Sequence, residues 1–178
     1  LSAKRRINIR RPVGTDGTAV HTLIAECPPL DTNSAYCNLL QCTHFAETCA
    51  IASRDGQVIG FVSAYIPPAR PDTLFVWQVA VSAAARGSGV AKLLIQNILE
   101  RETCRNVRYL QTTITADNHA SWKMFRSLAE NISAKTEHAP HFDRDTHFGG
   151  QHETELMLTI GPFQISRAPH TTDRNMEA

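Results

Sequence analysis

The sequence predicts an α/β fold built on a mixed β-sheet, and three observations carry this prediction. Apolar runs follow one another in the order strand, helix, helix, three strands, helix, strand, helix, strand. Three successive strands favour antiparallel pairing, whereas the strand-helix-strand unit over residues 74–115 favours one parallel pair. With 178 residues, of which 42% are hydrophobic, the chain is long enough for a single domain with a real core.

The predicted strands are marked by alternating apolar residues, by β-branched residues and by flanking turns. Between the second and third strands, Arg54-Asp55-Gly56 is a strong hairpin turn signal. The predicted strand ranges are 7–10, 48–53, 57–66, 74–82, 107–115 and 155–160.

Three of the four predicted helices follow a residue whose side chain can accept a hydrogen bond from the first helical turn. The alternative N-caps are Thr15 or Asp16 for the first helix, Asp31 or Asn33 for the second, and Asp117 or Asn118 for the fourth. Pro28-Pro29 ends the first helix, because proline cannot continue one. The third helix, over residues 88–102, instead begins within a glycine loop.

The predicted domain covers residues 1–163, and residues 164–178 are expected to form a disordered tail. These last residues are polar and show no periodicity.

Charge and composition argue against several classes of function. The 18 Lys and Arg residues nearly balance the 17 Asp and Glu residues, so no strong field predicts nucleic-acid binding. No apolar run reaches the roughly 18 residues of a membrane span, and the beginning of the sequence does not resemble a signal peptide. Five cysteines without a C-x-x-C pair favour reduced thiols. We therefore expect a cytoplasmic protein without nucleic-acid or membrane partners.

The loop Arg86-Gly87-Ser88-Gly89 stands directly between an apolar strand and a helix. A helix start exposes unpaired N–H groups, and glycines let a phosphate approach them without meeting a Cβ atom. The alternative is a tight strand-to-helix turn with no ligand. Neither the phosphate-loop pattern G-x-x-x-x-G-K-[ST] nor the dinucleotide pattern G-x-G-x-x-G is present here.

Two motifs resemble the N-acetyltransferase (GNAT) superfamily. Arg86-x-x-Gly89-x-Ala91 resembles its acetyl-CoA signature, and Asn118-x-x-Ser121-x-x-x-Phe125 resembles its later Asn-x-x-Ala-x-x-x-Tyr segment. The resemblance implies acetyl-CoA as co-substrate and a mostly antiparallel sheet of six to seven strands with about four helices, splayed at the acetyl-CoA site. The residues that it implies for cofactor binding are Val79, Ala80, Val81, Arg86, Gly87, Ser88, Gly89, Val90, Ala91, Asn118, Ser121 and Phe125.

Longer segments are similar to the diaminobutyrate acetyltransferases of ectoine biosynthesis. These segments are PPLDTNSAYCNLLQCTHFAETC, FVSAYIPPARPDTLFVWQVAV, TADNHASW and FGGQHETELMLTIGPF. The resemblance implies transfer of an acetyl group to the side-chain amine of L-2,4-diaminobutyrate by a homodimer. It also implies a substrate pocket of Asp31, Tyr36, Trp77, His152 and Glu155, with Glu155 as the base and His152 as the next candidate. The alternatives are another polyamine or amino acid as acceptor, or an acyl-CoA-binding protein that has lost catalysis.

The chemistry of acetyl transfer makes its own demands on this sequence. An alkylammonium with a pKa of about 10 must lose a proton before it can attack a thioester. On a strand, Glu153 and Glu155 share one face and supply candidate carboxylates, with His152 on the other face unless Gly149-Gly150 introduces a bulge. A bulged backbone N–H near Val79 is a candidate donor to the developing oxyanion. Phe125 cannot protonate the leaving thiolate as a tyrosine would.

The segment from His138 to His147 contains several residue types that bind metals. Its spacings match no site of defined geometry, so we predict no metal and expect a mobile loop near the rim of the active site.

Overall fold

A computed structural model describes residues 6–165 and contains one mixed sheet of seven strands in the order β1-β2-β3-β4-β5-β7-β6. All neighbouring strands pair antiparallel except β4 and β5, which pair parallel. The predicted class and the single parallel pair are therefore confirmed. The strands are β1 (Asn8–Arg10), β2 (Ala50–Arg54), β3 (Gln57–Tyr65), β4 (Thr73–Val81), β5 (Tyr109–Thr115), β6 (Thr136–Phe142) and β7 (Glu155–Ile160).

The sequence analysis missed β6. All seven of its residues are exposed, and Pro140 lies next to a register shift in its pairing with β7. An edge strand of this kind needs neither the apolar alternation nor the full set of N–H donors by which a strand is recognised. The predicted disordered tail covers residues 164–178, of which residues 166–178 lie outside the described part of the chain. Ile165 is described, and it packs partly buried against the core.

Four α-helices lie within the described residues, as predicted. They are α1 (Gly17–Ala25), α2 (Ala35–Thr43), α3 (Val90–Leu99) and α4 (His119–Asn131). The cap of α4 is Asn118, whose side chain accepts from the Ser121 amide at 3.1 Å. The prediction for α2 was wrong, because Ser34 caps this helix and Asp31 and Asn33 do not. Both of those residues therefore remain in the loop before α2.

Asp16 stands at the N-cap position of α1 but does not cap the helix with its side chain. Its carboxylate instead accepts from Arg10 at 2.7 and 2.8 Å and from the Val13 amide at 2.8 Å. The Arg10 guanidinium lowers the pKa of this carboxyl group below its usual value. Asp16 thus ties the start of α1 to the edge strand β1.

The helices cover both faces of the sheet. Ala50 and Ala52 of β2 belong to the cluster that contains α3 and α4, whereas Ile51 between them belongs to the cluster that contains α1. Because successive side chains of a strand point to opposite faces, the two clusters lie on opposite sides of the sheet. No helix among residues 6–165 has both the length and the hydropathy needed to cross a bilayer.

The sheet opens in its middle. β4 and β5 are in register only from Thr73 opposite Tyr109 to Phe75 opposite Gln111. Beyond Phe75, β4 continues along β3 without β5 beside it, and β5 continues along β7. The two halves of the sheet therefore diverge and leave a cleft between the second half of β4 and the end of β5.

Candidate active site

The wall of this cleft on the β4 side is a strand edge without a partner strand. The Ser82 amide donates to Ile59 of β3, and the register pairs Ala80 with Phe61. Because N–H groups alternate in direction along a strand, those of Val79 and Val81 point away from β3 and into the cleft. The predicted cofactor residue Ala80 directs its N–H group toward β3, and its side chain is buried.

A β-bulge lies at Trp77, two residues before Val79. Ser63 pairs with Gln78 and Ala64 pairs with Val76, so Trp77 is the extra residue of β4. The Trp77 side chain is 49% exposed, while Gln78 is 6% exposed. The bulge was expected near Val79; it lies at Trp77, a large exposed aromatic residue in the part of β4 that has no β5 beside it.

The glycine loop follows the end of β4 and leads into α3. Gly87 and Gly89 have φ values of +75° and +83°, and a Cβ atom added at either would meet nothing within 4 Å. Arg86 Nε donates to the Val81 carbonyl at 3.2 Å, which holds the loop against the open edge of β4. Gly89 is the N-cap of α3. Because it has no side chain, a ligand can approach the first N–H groups of the helix. This geometry fits a pyrophosphate.

The start of α4 lies on the β5 side of the cleft. The Asn118 side chain caps the helix through the Ser121 amide, and the indole Nε1 of Trp122 donates to the Thr115 carbonyl at 3.0 Å. Phe125 is only 3% exposed and belongs to the core that α3 and α4 cover. Val90 is likewise buried at 1%. These two predicted cofactor residues shape the core beneath the site, and their contact with acetyl-CoA stays a prediction.

Glu155 begins β7 at the open end of the cleft, opposite Thr115 of β5. Its side chain is 19% exposed, and its Oε2 atom is buried without a hydrogen-bond partner. Burial raises the pKa of this carboxyl group, and the charges of Asp31 and Asp117 act in the same direction. His152 and the Thr113 hydroxyl oppose this shift. A half-buried carboxylate with a raised pKa and one unused oxygen is suited to accept a proton.

His152 lies beside Glu155. Its Nδ1 atom is 2.7 Å from the Glu153 carbonyl, which can only accept, so Nδ1 carries a proton. Its Nε2 atom is 3.9 Å from Glu155 Oε1. Glu153 itself is exposed and lies 3.7 Å from Arg144. The structure thus separates the two glutamates, with Glu155 directed toward the cleft and Glu153 toward solvent.

Asp31 reaches the same site from the far side of the sheet. It lies in the loop between α1 and α2, it is exposed, and its charge acts on Glu155. Tyr36 follows in the first turn of α2 and is 69% exposed. The folded chain therefore brings Asp31 and His152 near Glu155, although they are far apart in the sequence, and Trp77 directly precedes Gln78, which contacts the Asp31 carbonyl.

Sequence reasoning missed several residues that shape this opening. Gln78 and Asn33 hydrogen-bond to each other at 2.9 Å, and Thr113 and Asp117 influence the pKa of Glu155. No motif identifies them, because each acts through a contact made only in the folded chain. The alternation of β5, which puts Thr113 on the same side as Thr115, is the one pattern that could have found Thr113.

The histidine-rich segment over residues 138–152 forms β6 and the loop that follows it. Phe142 makes edge contacts with His141, His147 and Phe148, and Phe148 contacts His152. Among residues 6–165, no group of three or more His, Cys, Asp or Glu residues is arranged to hold a metal ion. The segment packs as an aromatic cluster next to the catalytic candidates.

A sheet that splays two residues before a β-bulge, with a glycine loop and a helix start at one side of the opening, is the arrangement expected of an acyltransferase that binds a CoA thioester. The model of the acetyltransferase (GNAT) family matches residues 18–129. The chain belongs to this family. Its acetyl donor is acetyl-CoA.

Relatives and solved structures agree with this assignment. The chain is 49% identical over 166 residues to the L-2,4-diaminobutyric acid acetyltransferase of Bordetella parapertussis, covering 93% of this chain and 88% of that protein. It is 47% identical over 162 residues to that of Methylotuvimicrobium alcaliphilum, covering 91% and 94%.

Among solved structures, the diaminobutyrate acetyltransferase EctA from Paenibacillus lautus, in complex with L-2,4-diaminobutyric acid and coenzyme A, superposes with a TM-score of 0.86. It is 37% identical, and the match covers 92% of this chain and 99% of that one. The ribosomal-protein-S18-alanine N-acetyltransferase of Escherichia coli is 16% identical and has a TM-score of 0.63, which shows the shared fold.

Proposed function

We propose that this chain transfers the acetyl group of acetyl-CoA to the side-chain (N4) amine of L-2,4-diaminobutyrate. The observation that carries the proposal is the pair of carboxylates at one opening, since Glu155 is half-buried and Asp31 is exposed and close enough to act on it. A diamino acid brings two ammonium groups, of which only one must be deprotonated. The relatives that share 47–49% identity are named for this substrate.

The two carboxylates have different roles in this proposal. Glu155 accepts a proton from the N4 ammonium, directly or through one water, because burial makes its carboxylate a better base than an ordinary glutamate. Asp31 is exposed to solvent, and in this proposal its carboxylate pairs with the ammonium group that keeps its proton. Trp77 and Tyr36 provide aromatic walls for the short aliphatic chain.

His152 supports Glu155 in this scheme. Its Nε2 atom is 3.9 Å from Glu155 Oε1, a distance that a small movement on substrate binding would close to a hydrogen bond. With Nδ1 held by the Glu153 carbonyl, Nε2 is the atom that can receive a proton next.

Acetyl-CoA supplies the activated acetyl thioester when it is bound. The N–H groups of Val79 and Val81 are directed to hold its extended arm as an added strand would be held, and the N-terminus of α3 is directed to hold its pyrophosphate. Arg86 adds positive charge beside Gly87 and Gly89. Phe125 has no proton to give, so no residue is assigned to protonate the thiolate.

A panel of acceptors tests the proposal. Release of free thiol from acetyl-CoA is measured with L-2,4-diaminobutyrate, ornithine, lysine and a peptide, and the acetylated position is read by NMR. We expect the highest kcat/KM with diaminobutyrate and acetylation at N4. Preference for another amine would identify a different acceptor, and tight acetyl-CoA binding without turnover of any amine would support a non-catalytic binding protein.

The same proposal places the reaction in ectoine biosynthesis in the cytoplasm. None of the five cysteines, all of which lie within the described residues, forms a disulfide, and burial raises the pKa of Cys42 to about 11 and of Cys49 to about 12, so these thiols suit a reducing compartment. Ectoine accumulation in an osmotically stressed host that depends on this chain, with the protein in the cytoplasmic fraction, would support both statements. Accumulation that is unchanged without the chain would contradict the first.

We also propose that the chain is a homodimer joined near β6. This edge strand is exposed along all seven residues and carries Phe142, which is 39% exposed. Exposed strand edges are usually covered by another element or chain. Light scattering at micromolar concentration should give about twice the chain mass of 19.7 kDa. A monomer would contradict the proposal, and a dimer that persists in Phe142→Glu would place the interface elsewhere.

A further inference from the structure

Gln78 joins the loop that carries Asp31 to the strand that borders the cleft. Its Nε2 atom donates to the Asp31 carbonyl at 2.9 Å, and its Oε1 atom accepts from Asn33 Nδ2 at 2.9 Å. Its backbone N–H donates to Ser63 Oγ of β3 at 3.2 Å. Gln78 is 6% exposed, so its amide is available to the loop and hardly to solvent.

The loop depends on this residue because it has little other support. Residues 31–34 form no helix or strand, and Asp31 is exposed. Within residues 6–165, the side chain of Gln78 makes the two side-chain hydrogen bonds that join residues 31–33 to β4. A side chain that binds both a backbone carbonyl and an amide group fixes the loop in two directions.

The position of Gln78 in β4 gives this contact a functional meaning. It lies between the bulge residue Trp77 and Val79, whose N–H points into the cleft. Gln78 therefore sets the distance from Asp31 to the Trp77 indole and to the edge of β4 that faces the acetyl donor. A shift of about 1 Å in such an arrangement is enough to lower a rate strongly.

We propose that Gln78 is a positioning residue that holds Asp31 at the distance required to bind the second ammonium group of the acceptor. This inference rests on the proposed function, in which Asp31 pairs with that ammonium. Gln78 itself is not proposed to contact the substrate. Its effect should therefore appear in acceptor binding and should depend on the presence of Asp31.

The first test is kinetic. Gln78→Leu keeps the approximate size and removes both side-chain hydrogen bonds, and we expect the KM for diaminobutyrate to rise by about 3–10-fold, no more than in Asp31→Asn, because Gln78 acts through Asp31. The KM for acetyl-CoA should stay within about twofold. Gln78→Glu keeps the acceptor for Asn33 but places a carboxylate oxygen against the Asp31 carbonyl, so it should fail to restore the KM.

A matched control separates positioning from a general loss of sheet stability. Gln111 of β5 is partly buried, and its Nε2 atom donates to Thr159 Oγ1 at 3.0 Å. This contact involves no part of the loop over residues 31–34. Gln111→Leu should leave the KM for diaminobutyrate near that of the wild type. An equal rise in both variants would overturn the proposal.

A double-mutant cycle tests the route of the effect. If Gln78 acts through Asp31, then Gln78→Leu should raise the KM little further in an Asp31→Asn background, because residues in one network are not additive. Two effects that multiply fully would show that Gln78 acts independently of Asp31 and would overturn the proposal.

Hydrogen exchange separates this proposal from the proposed function. Gln78→Leu should speed amide exchange in residues 31–36 relative to wild type and to Gln111→Leu, whatever the acceptor is. Faster exchange in a protein that does not acetylate diaminobutyrate would refute the function and retain the positioning. Turnover of diaminobutyrate with an unchanged KM and unchanged exchange in Gln78→Leu would refute the positioning alone.

Discussion

The two sides of the cleft are built in different ways. On the donor side, the groups directed at a ligand are backbone N–H groups of Val79, Val81 and the start of α3, and they come from one short stretch of sequence. On the proposed acceptor side, the groups are the side chains of Asp31, Trp77 and Glu155, and they come from three distant segments.

This difference separates what each side recognises. Backbone N–H groups at a strand edge and a helix start bind features common to all CoA thioesters, and a side-chain change alters them only by blocking approach. Charged side chains recognise the number and spacing of ammonium groups, and a single change can remove them. Acceptor-side changes should therefore affect catalysis and acceptor binding, whereas donor-side changes should affect acetyl-CoA binding.

The largest expected effect is on the acceptor side. Glu155→Gln should lower kcat about 10²–10⁴-fold, the usual range for loss of a general base. The KM for acetyl-CoA should change little, because the donor site lies across the cleft. The raised pKa of Glu155 places the acid limb of the wild-type pH–rate profile above the ordinary glutamate value, since activity needs the carboxylate.

The control for this variant is Glu153→Gln. Glu153 is two residues away on the same segment, but its side chain is exposed and lies near Arg144. This variant should retain kcat within about twofold. In Glu155→Gln the defect should shrink as the pH approaches the amine pKa of about 10, because solvent then supplies neutral amine. A kcat near wild type at neutral pH would place the base elsewhere, and His152 would be tested next.

The second expected effect is on the donor side. Gly89→Val puts a branched side chain into space that is now empty beside the start of α3, so we expect the KM for acetyl-CoA to rise about 10–100-fold, as for the loss of one or two charge-assisted hydrogen bonds. The KM for diaminobutyrate should stay nearly unchanged in initial-rate measurements at saturating acetyl-CoA.

Gly56→Val is the matched control for the glycine loop. Gly56 has a φ of +79°, close to the +83° of Gly89, and an added Cβ would also meet nothing within 4 Å. The two variants therefore carry a similar backbone strain, but Gly56 lies in the hairpin turn between β2 and β3. If both raise the acetyl-CoA KM equally, then strain and not obstruction explains the effect.

A smaller effect is expected from Asp31→Asn. Removing one exposed charge should raise the KM for diaminobutyrate about tenfold, in line with about 1.4 kcal/mol for a charge-assisted contact, and should leave kcat within a few-fold. Glu26→Gln, an exposed change at the end of α1, controls for the general loss of negative charge. A large fall in kcat with an unchanged KM would make Asp31 part of the proton transfer instead.

The fold was predictable from the sequence where elements are periodic or flanked by turns. β7 has the predicted bounds, and β3, β4 and α4 differ by a few residues at most. β6 was missed because an exposed edge strand needs no apolar face. The cap of α2 was misassigned because Asp31, Asn33 and Ser34 are all good caps, and tertiary bonds from Gln78 hold the first two.

In the candidate site, too, the parts formed by neighbouring residues were predictable, and the parts formed by distant residues were not. The glycine loop carries its geometry within a few residues, so the loop and the bulge could be anticipated from local chemistry. The grouping of Asp31 with Glu155 came from resemblance, because no pattern of spacing relates residues so far apart. Neither resemblance nor pattern pointed to Gln78 and Thr113, since their roles depend on which strands diverge and which loop crosses them.

The smallest expected effect concerns stability and has the opposite sign to the catalytic effect. Glu155 carries a buried oxygen without a partner, and its pKa is raised by burial, so ionising it costs the folded state free energy. Between the ordinary glutamate pKa and this raised value, the folded chain binds more protons than the unfolded chain, and stability falls as the pH rises. Glu155→Gln has no charge to bury and should be more stable at pH 7 by about 0.5–1 kcal/mol, a Tm increase of about 1–4 °C. The gain should disappear below about pH 4, where the wild-type carboxyl is protonated in both states. Thermal unfolding of both proteins from about pH 3 to about pH 8 measures this difference, with Glu153→Gln as the exposed control. A gain that is the same at every pH would mean that it arises from packing, and that the charge of Glu155 is not held in the site at a cost to stability.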